Sequence, residues 1–379
     1  MSPTVLDYFS DIEDPRQKGK VTHSLDKILL ISLCGMLCGA DDWETIETFA
    51  ENKQAWLGQF VDMSDGVPSH DTLGRVFSRI RPEQFTQCFI EWVQGFIEQH
   101  KDVDKETLSV IALDGKTARR SQDKRNSKSA MHMMNAWCCA NQLVLGQLVV
   151  DEKTNEITAL PDLLKLIDAQ GSIITADALN CQKDITQACI ESGADYLLAV
   201  KGNQPTLHEY IHDYFEKKKP KAYRRPEINF FESSEKNRNR DEIRRCWVAD
   251  ASDLIPNRAE WTSLNSIVRI DRSRTIDEKT SFETHYYICS NNQLSAEEVL
   301  SAARQHWQVE IMHWTLDMCF REDEQRARKD YSAENMTIMR QVSMNLLKHD
   351  KTPRLSMKRK RLVACMNESY LEKLLFLNT

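Results

Sequence analysis

The chain has 379 residues, 41 % of them hydrophobic and 28 % charged, with a formal net charge of −7. This length suggests two or three folding units, and the composition excludes collagenous, disordered and membrane-spanning chains. The longest apolar stretch, Ile28 to Ala40, is closed by Asp41 and Asp42, short of the ~20 residues that cross a bilayer. The acidic N-terminus (Asp7, Asp11, Glu13, Asp14) lacks the basic-then-apolar progression of a signal peptide. A cytoplasmic protein with no membrane contact is expected, its 11 cysteines free and mostly buried because no CxxC pair suggests a metal or disulfide framework.

Residues 24–100 read as helices. Leu25 to Leu37 is nearly continuously apolar after Ser24, and Trp43 to Phe60 has a helical period. Ser69 can cap a helix through Ile80 that carries Thr72, Arg75 and Arg79, equally a recognition helix or a packing helix. Pro82 opens another, Glu83 to Gln99, with Phe85, Phe89, Trp92, Val93 and Phe96 on one stripe. From residue 108 the pattern changes. Leu108 to Leu113 is a short buried-strand run ending at Asp114-Gly115. Met133 to Ala140 and Leu143 to Val150 read as strands joined through Asn141-Gln142. A helix over 160–169 precedes a strand, Ile173 to Ala176, that ends at Asp177; a helix over 184–192 precedes the strand Tyr196 to Val200, closed by Lys201-Gly202-Asn203. This order is that of a mixed α/β sheet. Residues 228–290 are rich in strand-like segments, and Ala296 to Phe320 reads as one long helix containing Glu310, followed by a helix over 335–349.

Charge is unevenly distributed. Residues 1–105 hold 18 acids against 10 Lys+Arg, whereas the remaining 274 hold 39 against 40. Bases cluster around Lys116, Arg119, Arg120, Lys124, Arg125 and Lys128, over 217–225, around Arg238, Arg240, Arg244 and Arg245, and over 348–361. Local patches, not the net sum, decide attraction to phosphate, and four of them beside candidate catalytic residues point to a polyanion.

Asp114 and Asp177 each end an apolar strand run, which places a carboxylate at the sheet rim where α/β sites lie. Two such groups on neighbouring strands suit hard divalent cations. Glu310 sits in His306-Trp307-Gln308-Val309-Glu310-Ile311-Met312-His313-Trp314-Thr315-Leu316-Asp317. Seven residues are nearly two helical turns, so Trp307 and Trp314 share a face with Glu310 between them. A carboxylate on an aromatic face is costly to bury unless paired or metal-bound, which marks Glu310 as a candidate and Asp317 as its reserve.

These motifs, with Ala112-Leu113-Asp114-Gly115-Lys116, Thr175-Ala176-Asp177-Ala178, Val200-Lys201-Gly202-Asn203-Gln204, Glu322-Asp323 and Ala333-Glu334-Asn335, resemble those of the DDE transposases of bacterial insertion sequences, most closely the H-repeat-associated family. The resemblance runs over nearly the whole chain. It implies a ribonuclease H-like mixed-sheet core (106–205 and 291–350), an all-helical N-terminal domain (1–105) for DNA-end binding or assembly, a β-rich insertion (206–290) and a basic, helical C-terminal tail (351–379). It also implies catalysis by Asp114, Asp177 and Glu310 holding two Mg²⁺ or Mn²⁺ ions, Asp114 bridging them. Water would free a 3′-hydroxyl that then attacks target DNA. Double-stranded DNA, both element ends and target, is the implied partner, with a dimer assembled on it. Lys116, Arg119, Arg120, Lys201, Asn203, Gln204, Arg240 and Arg244 are the expected DNA contacts. A wider group of these enzymes carries Tyr, Arg, Glu and Lys around the last acid. The matching positions hold Ala303, His306, Glu310 and Asp317, so only the Glu is present and His306 stands in reserve with Asp317.

Three other readings compete: a DNA-binding copy without catalysis, a plain metal-dependent nuclease, and a zinc peptidase suggested by His208-Glu209-Tyr210-Ile211-His212, which fits HExxH. Leu207, Tyr210, Ile211, Tyr214 and Phe215 already explain that helix as amphipathic, and Phe215 and Lys218 stand where the extended motif needs Gly and His.

Overall fold

A computed structural model describes residues 3–99, 108–122, 129–150, 156–216, 228–237, 239–251, 255–352 and 354–376. Lys124, Arg125, Lys128, Arg238 and the basic run over 217–225 lie outside the described residues.

The first six helices are α1 Val5–Phe9, α2 Leu25–Leu37, α3 Trp43–Asn52, α4 Gln54–Leu57, α5 His70–Phe77 and α6 Pro82–Gln99. Every residue of α2 except Asp26 is buried, as its nearly unbroken apolar sequence requires. The helical period over 43–60 resolves into α3 and α4, and Arg79 falls beyond the end of α5, whose buried face is Leu73, Val76 and Phe77. That face packs inward.

Nine strands then form one sheet: β1 Val110–Thr117, β2 His132–Cys138, β3 Leu143–Val150, β4 Ile173–Ala176, β5 Asp195–Val200, β6 Asn229–Asn237, β7 Arg240–Asp250, β8 Ser266–Ile276 and β9 Lys279–Cys289. Their order is β3-β2-β1-β4-β5-β9-β8-β7-β6. β1 is antiparallel to β2 and parallel to β4, and β4 is parallel to β5. This is the ribonuclease H-like arrangement. The hairpin from β2 to β3 turns through Gln142 at φ 57°, a left-handed position that an amide side chain tolerates. The strands over 229–289 join the same sheet, because β9 pairs antiparallel with β5.

The other helices are α7 Glu156–Leu166, α8 Lys183–Glu191, α9 Pro205–Glu216, α10 Ala296–Gln305, α11 Trp307–Phe320, α12 Ser332–His349, α13 Met357–Met366 and α14 Glu368–Leu375. Expected as one helix, residues 296–320 break at His306 into α10 and α11, and α11 stops at Arg321, φ 51°. α12 is buried along most of its length. The buried Asn335 amide donates to the carbonyls of Phe77 (2.7 Å) and Ile80 (2.9 Å). One apolar core therefore runs from Val5 to Leu375, joining the N-terminal helices to the sheet.

Candidate active site

Leu113 of β1 lies beside Ala176 of β4. The next residues, Asp114 and Asp177, therefore emerge side by side from strands ~4.8 Å apart. β1 does not end at Leu113 as its apolar run suggested. It continues to Thr117 because β2 keeps pairing with it, Asp114 opposite Asn135 and Thr117 opposite His132. Asp114 thus sits on a strand edge vacated where β4 stops. α11 crosses β1 and β2 with Glu310 in its first turn.

Asp114 is mostly buried. Loss of water, followed by the repulsion of Asp177, Glu156 and Glu310, pushes its carboxyl up to about 7 against an amide bond from Gly115. Burial also raises the Glu310 carboxyl. Asp177 is held by Asn180, whose side-chain amide lies 2.9 Å from Oδ1. Glu156 completes the acidic group: it bonds His132 Nε2 at 2.7 Å and takes an amide bond from Asn180 at 3.4 Å. A Cβ at position 115 would lie 2.3 Å from Glu156 Oε1 and 2.7 Å from His132 Nε2. Gly115 is what lets this layer close beneath Asp114.

A chain of polar groups orients the site from behind. Gln341 donates to Asn135 Oδ1 at 2.8 Å, Asn135 Nδ2 lies 3.3 Å from His313 Nε2, and His313 Nδ1 lies 3.5 Å from Asp114 Oδ2. The Asn135 amide can only donate, so the His313 proton is assigned to Nδ1, facing Asp114. Burial pushes His313 down to about 3, so it is a neutral ring. His306, the reserve candidate, is half-buried at the α10–α11 junction with Nδ1 3.1 Å from the Thr175 hydroxyl. It supports the strand that leads into Asp177.

Lys116 is turned inward, against the expectation of a phosphate contact. Its ammonium lies 2.7 Å from Asp317 and 2.5 Å from Glu322, a side chain with no exposed surface. Lys116 is on β1 and Asp317 on α11, so this cluster pins the helix of Glu310 to the strand of Asp114. Asp317 is thereby occupied. Asn203 and Gln204 are also spent internally, on the carbonyls of Ala178 (2.5 Å) and Cys181 (3.0 Å), tying the loop after β5 to the loop after Asp177. Arg119, 83 % exposed, reaches Asp323 at 3.4 Å. Arg120 and Lys201 are exposed. Arg240 and Arg244 lie apart, on β7. The aromatic face of α11 points outward: Trp307, Ile311, Trp314 and Met318 are 55 to 62 % exposed, with Glu310 beside them. In the HExxH segment, Leu207 and Ile211 are buried and both rings stand edge-on to Tyr286.

A model for a transposase DDE domain matches residues 105–346, and the DDE_Tnp_1-associated model matches residues 6–93. The chain is 40 % identical over 378 residues to "H repeat-associated putative transposase YhhI" of Escherichia coli (strain K12), covering 98 % of this chain and 97 % of that one. The chain belongs to the H-repeat-associated family of DDE transposases. Another relative of this transposase, "Putative transposase YncI" of Escherichia coli O157:H7, is 39 % identical over 377 residues, with 98 % and 94 % coverage. A piggyBac transposase, solved as a synaptic complex with hairpin DNA, aligns over 99 % of this chain and 78 % of its own at TM-score 0.41 and 11 % identity. No described helix of the transposase is long and apolar enough to cross a membrane.

As the side chains stand, no three acidic, histidine or cysteine groups among the described residues converge on a single ion position. The donor chemistry nevertheless fits a hard divalent cation. Asp114, Asp177, Glu156 and Glu310 are oxygen donors, the last three repelling Asp114, and the Lys116 ammonium, two residues on, is spent on Asp317 and Glu322.

The raised Asp114 value has a testable consequence. The folded state retains a proton that the unfolded chain releases above its ordinary value of 3.8. The resulting stability is full below that pH and is lost as pH rises through about 7. Metal-free wild type should therefore lose Tm relative to Asp114→Asn between pH 5.5 and 8, roughly the upper part of this window. Stabilisation by added Mg²⁺ should grow over the same interval, since the ligand must be deprotonated. Thermal unfolding of both proteins across pH checks this; a constant Tm difference would contradict it.

Proposed function

We propose that this protein is an active DDE transposase that cleaves DNA at element ends and joins it to a target, with Asp114, Asp177 and Glu310 holding two Mg²⁺ or Mn²⁺ ions. The observation that carries the proposal is that Asp114 on β1 and Asp177 just past the end of β4 emerge side by side, with α11, the helix of Glu310, packed against β1. Ions held by these carboxylates would supply charge stabilisation to the attacking and leaving oxygens of a phosphoryl displacement. The protein's own contribution is position. His313 and Asn180 orient Asp114 and Asp177. The Lys116 cluster fixes α11 over β1, and the arginines near the site hold the DNA backbone. In the first step water forms a bond to phosphorus and the bridging P–O3′ bond breaks, freeing a 3′-hydroxyl. In the second, that hydroxyl displaces a 3′-oxygen from a target phosphate. Pairing of two ends makes a dimer on DNA the working unit.

The test is incubation with DNA carrying the element's own ends and a supercoiled target, with and without Mg²⁺ or Mn²⁺. Joined products that need the metal are expected. Metal-dependent cleavage without joining would favour a nuclease, and specific end binding without either would mark an inactive copy.

A further inference from the structure

Along one face of the β6–β9 half of the sheet, arginines outnumber the acids that hold them. Glu242 of β7 is 1 % exposed. Its carboxylate lies 3.2 Å from Arg240, 2.8 Å from Arg244 and 3.8 Å from Arg274, and it also bonds Arg272 Nε. The register explains the convergence. Glu242 is opposite Arg274 and Arg244 is opposite Arg272, and alternate residues of a strand share a face. Two further acids contribute. Glu235 of β6 is shared between Arg244 (3.2 Å) and Arg304 of α10 (2.6 Å), and Glu283 of β9 lies 3.5 Å from Arg272. Five guanidiniums thus face three carboxylates; Arg244 meets Glu235 as an ion pair only, and Arg274 Nε and Glu242 Oε2, both buried, make no hydrogen bond. The opposite face is balanced differently: Arg245 pairs with Glu232 at 2.5 Å, and Arg269 with Asp271 and Glu216 at 2.8 and 2.7 Å.

Like charges packed around too few acids favour a bound anion, and the planar guanidinium fork matches phosphate oxygens. Arg304 also lines a cleft of about 460 Å³ with Ser233 of β6 and Gln308 of α11.

We propose that Arg240, Arg272, Arg274 and Arg304, held with the buried Arg244 by Glu242 and Glu235, form a track for the DNA phosphodiester backbone along this face and the cleft beside it. This rests on the DNA reading above, but it concerns binding and not turnover. Labelled duplexes, one with an element end and one of unrelated sequence, are titrated with full-length protein over a range of salt concentrations in EDTA. Each lost phosphate contact lowers the slope of log K against log salt by ~0.9. Arg272→Gln/Arg274→Gln should therefore reduce it by about 2 on both duplexes, and Arg245→Gln should leave it unchanged. Arg240→Gln/Arg304→Gln, at more exposed positions, repeats the test should the first pair unfold. An unchanged slope in the folded arginine variants, an equal fall in Arg245→Gln, or no retention of either duplex by wild type would overturn the track. Slopes that change as expected in a protein that makes no joined product would sink the transferase reading and leave the track standing.

Discussion

Asp114→Asn is expected to reduce cleavage and joining at least about 10³-fold, equivalent to about 4 kcal/mol of lost transition-state stabilisation, while the metal-free protein becomes no less stable. The two effects have one cause. Asp114 is buried near Asp177, Glu156 and Glu310, an arrangement that repels itself until a cation enters. The isosteric amide removes the charge and with it the repulsion, so the fold gains what the chemistry loses. Function bought at the expense of stability is common in sites of this kind. Cleavage rates and Tm in EDTA are measured on the same preparation. A well-folded Asp114→Asn that still cuts would remove Asp114 from the machinery; a strongly destabilised one would show a structural role instead.

Lys116→Met should destabilise the protein by about 3–5 kcal/mol, because it strands buried carboxylates. Glu322 has no exposed surface, and Asp317 sits on the helix that carries Glu310. The charge-neutral set Lys116→Met/Asp317→Asn/Glu322→Gln should recover most of the loss, since replacing a whole buried ionic cluster is far less costly than breaking it. Denaturant unfolding of the two proteins decides this. If Lys116→Met unfolds at the wild-type midpoint, the cluster is not holding α11 to β1.

The core strands, and the positions of Asp114 and Asp177 after their apolar runs, were legible in the sequence for a local reason. A short apolar run closed by a carboxylate specifies both a buried strand and a polar group at its rim, and Asp114 and Asp177 each follow one. The broken helix at His306 was not legible, because apolar periodicity continues through residues 296–320 and the break lies in the backbone at the site's edge. Nor was the direction of the Trp307–Trp314 face: a stripe shows which residues share a side, not whether another element covers it. Lys116, Asn203 and Gln204 were expected to contact DNA because the family resemblance places them beside the acids. Their partners, Asp317, Glu322 and the carbonyls of Ala178 and Cys181, are distant in sequence and meet them only in the fold. His313 carried a signal in the repeated His-Trp seven residues after His306, and spacing three residues from Glu310 put it one turn along the same flank of α11. Glu156, His132, Asn135 and Gln341 carried none, since each acts through tertiary contacts alone. The arginine track shows the same limit: Arg240 and Arg244 stood out as a basic cluster, whereas Arg272 and Arg274 joined them only through the β7–β8 register.

The measurement that bears most directly on the three acids is Mn²⁺ binding, followed by electron paramagnetic resonance, in wild type and in Asp114→Asn, Asp177→Asn and Glu310→Gln. Two ions per chain are expected in wild type, with binding weakened in each variant and most in Asp114→Asn. Mn²⁺ binding unaltered by all three substitutions would contradict the assignment of these carboxylates to a metal-dependent transposase site.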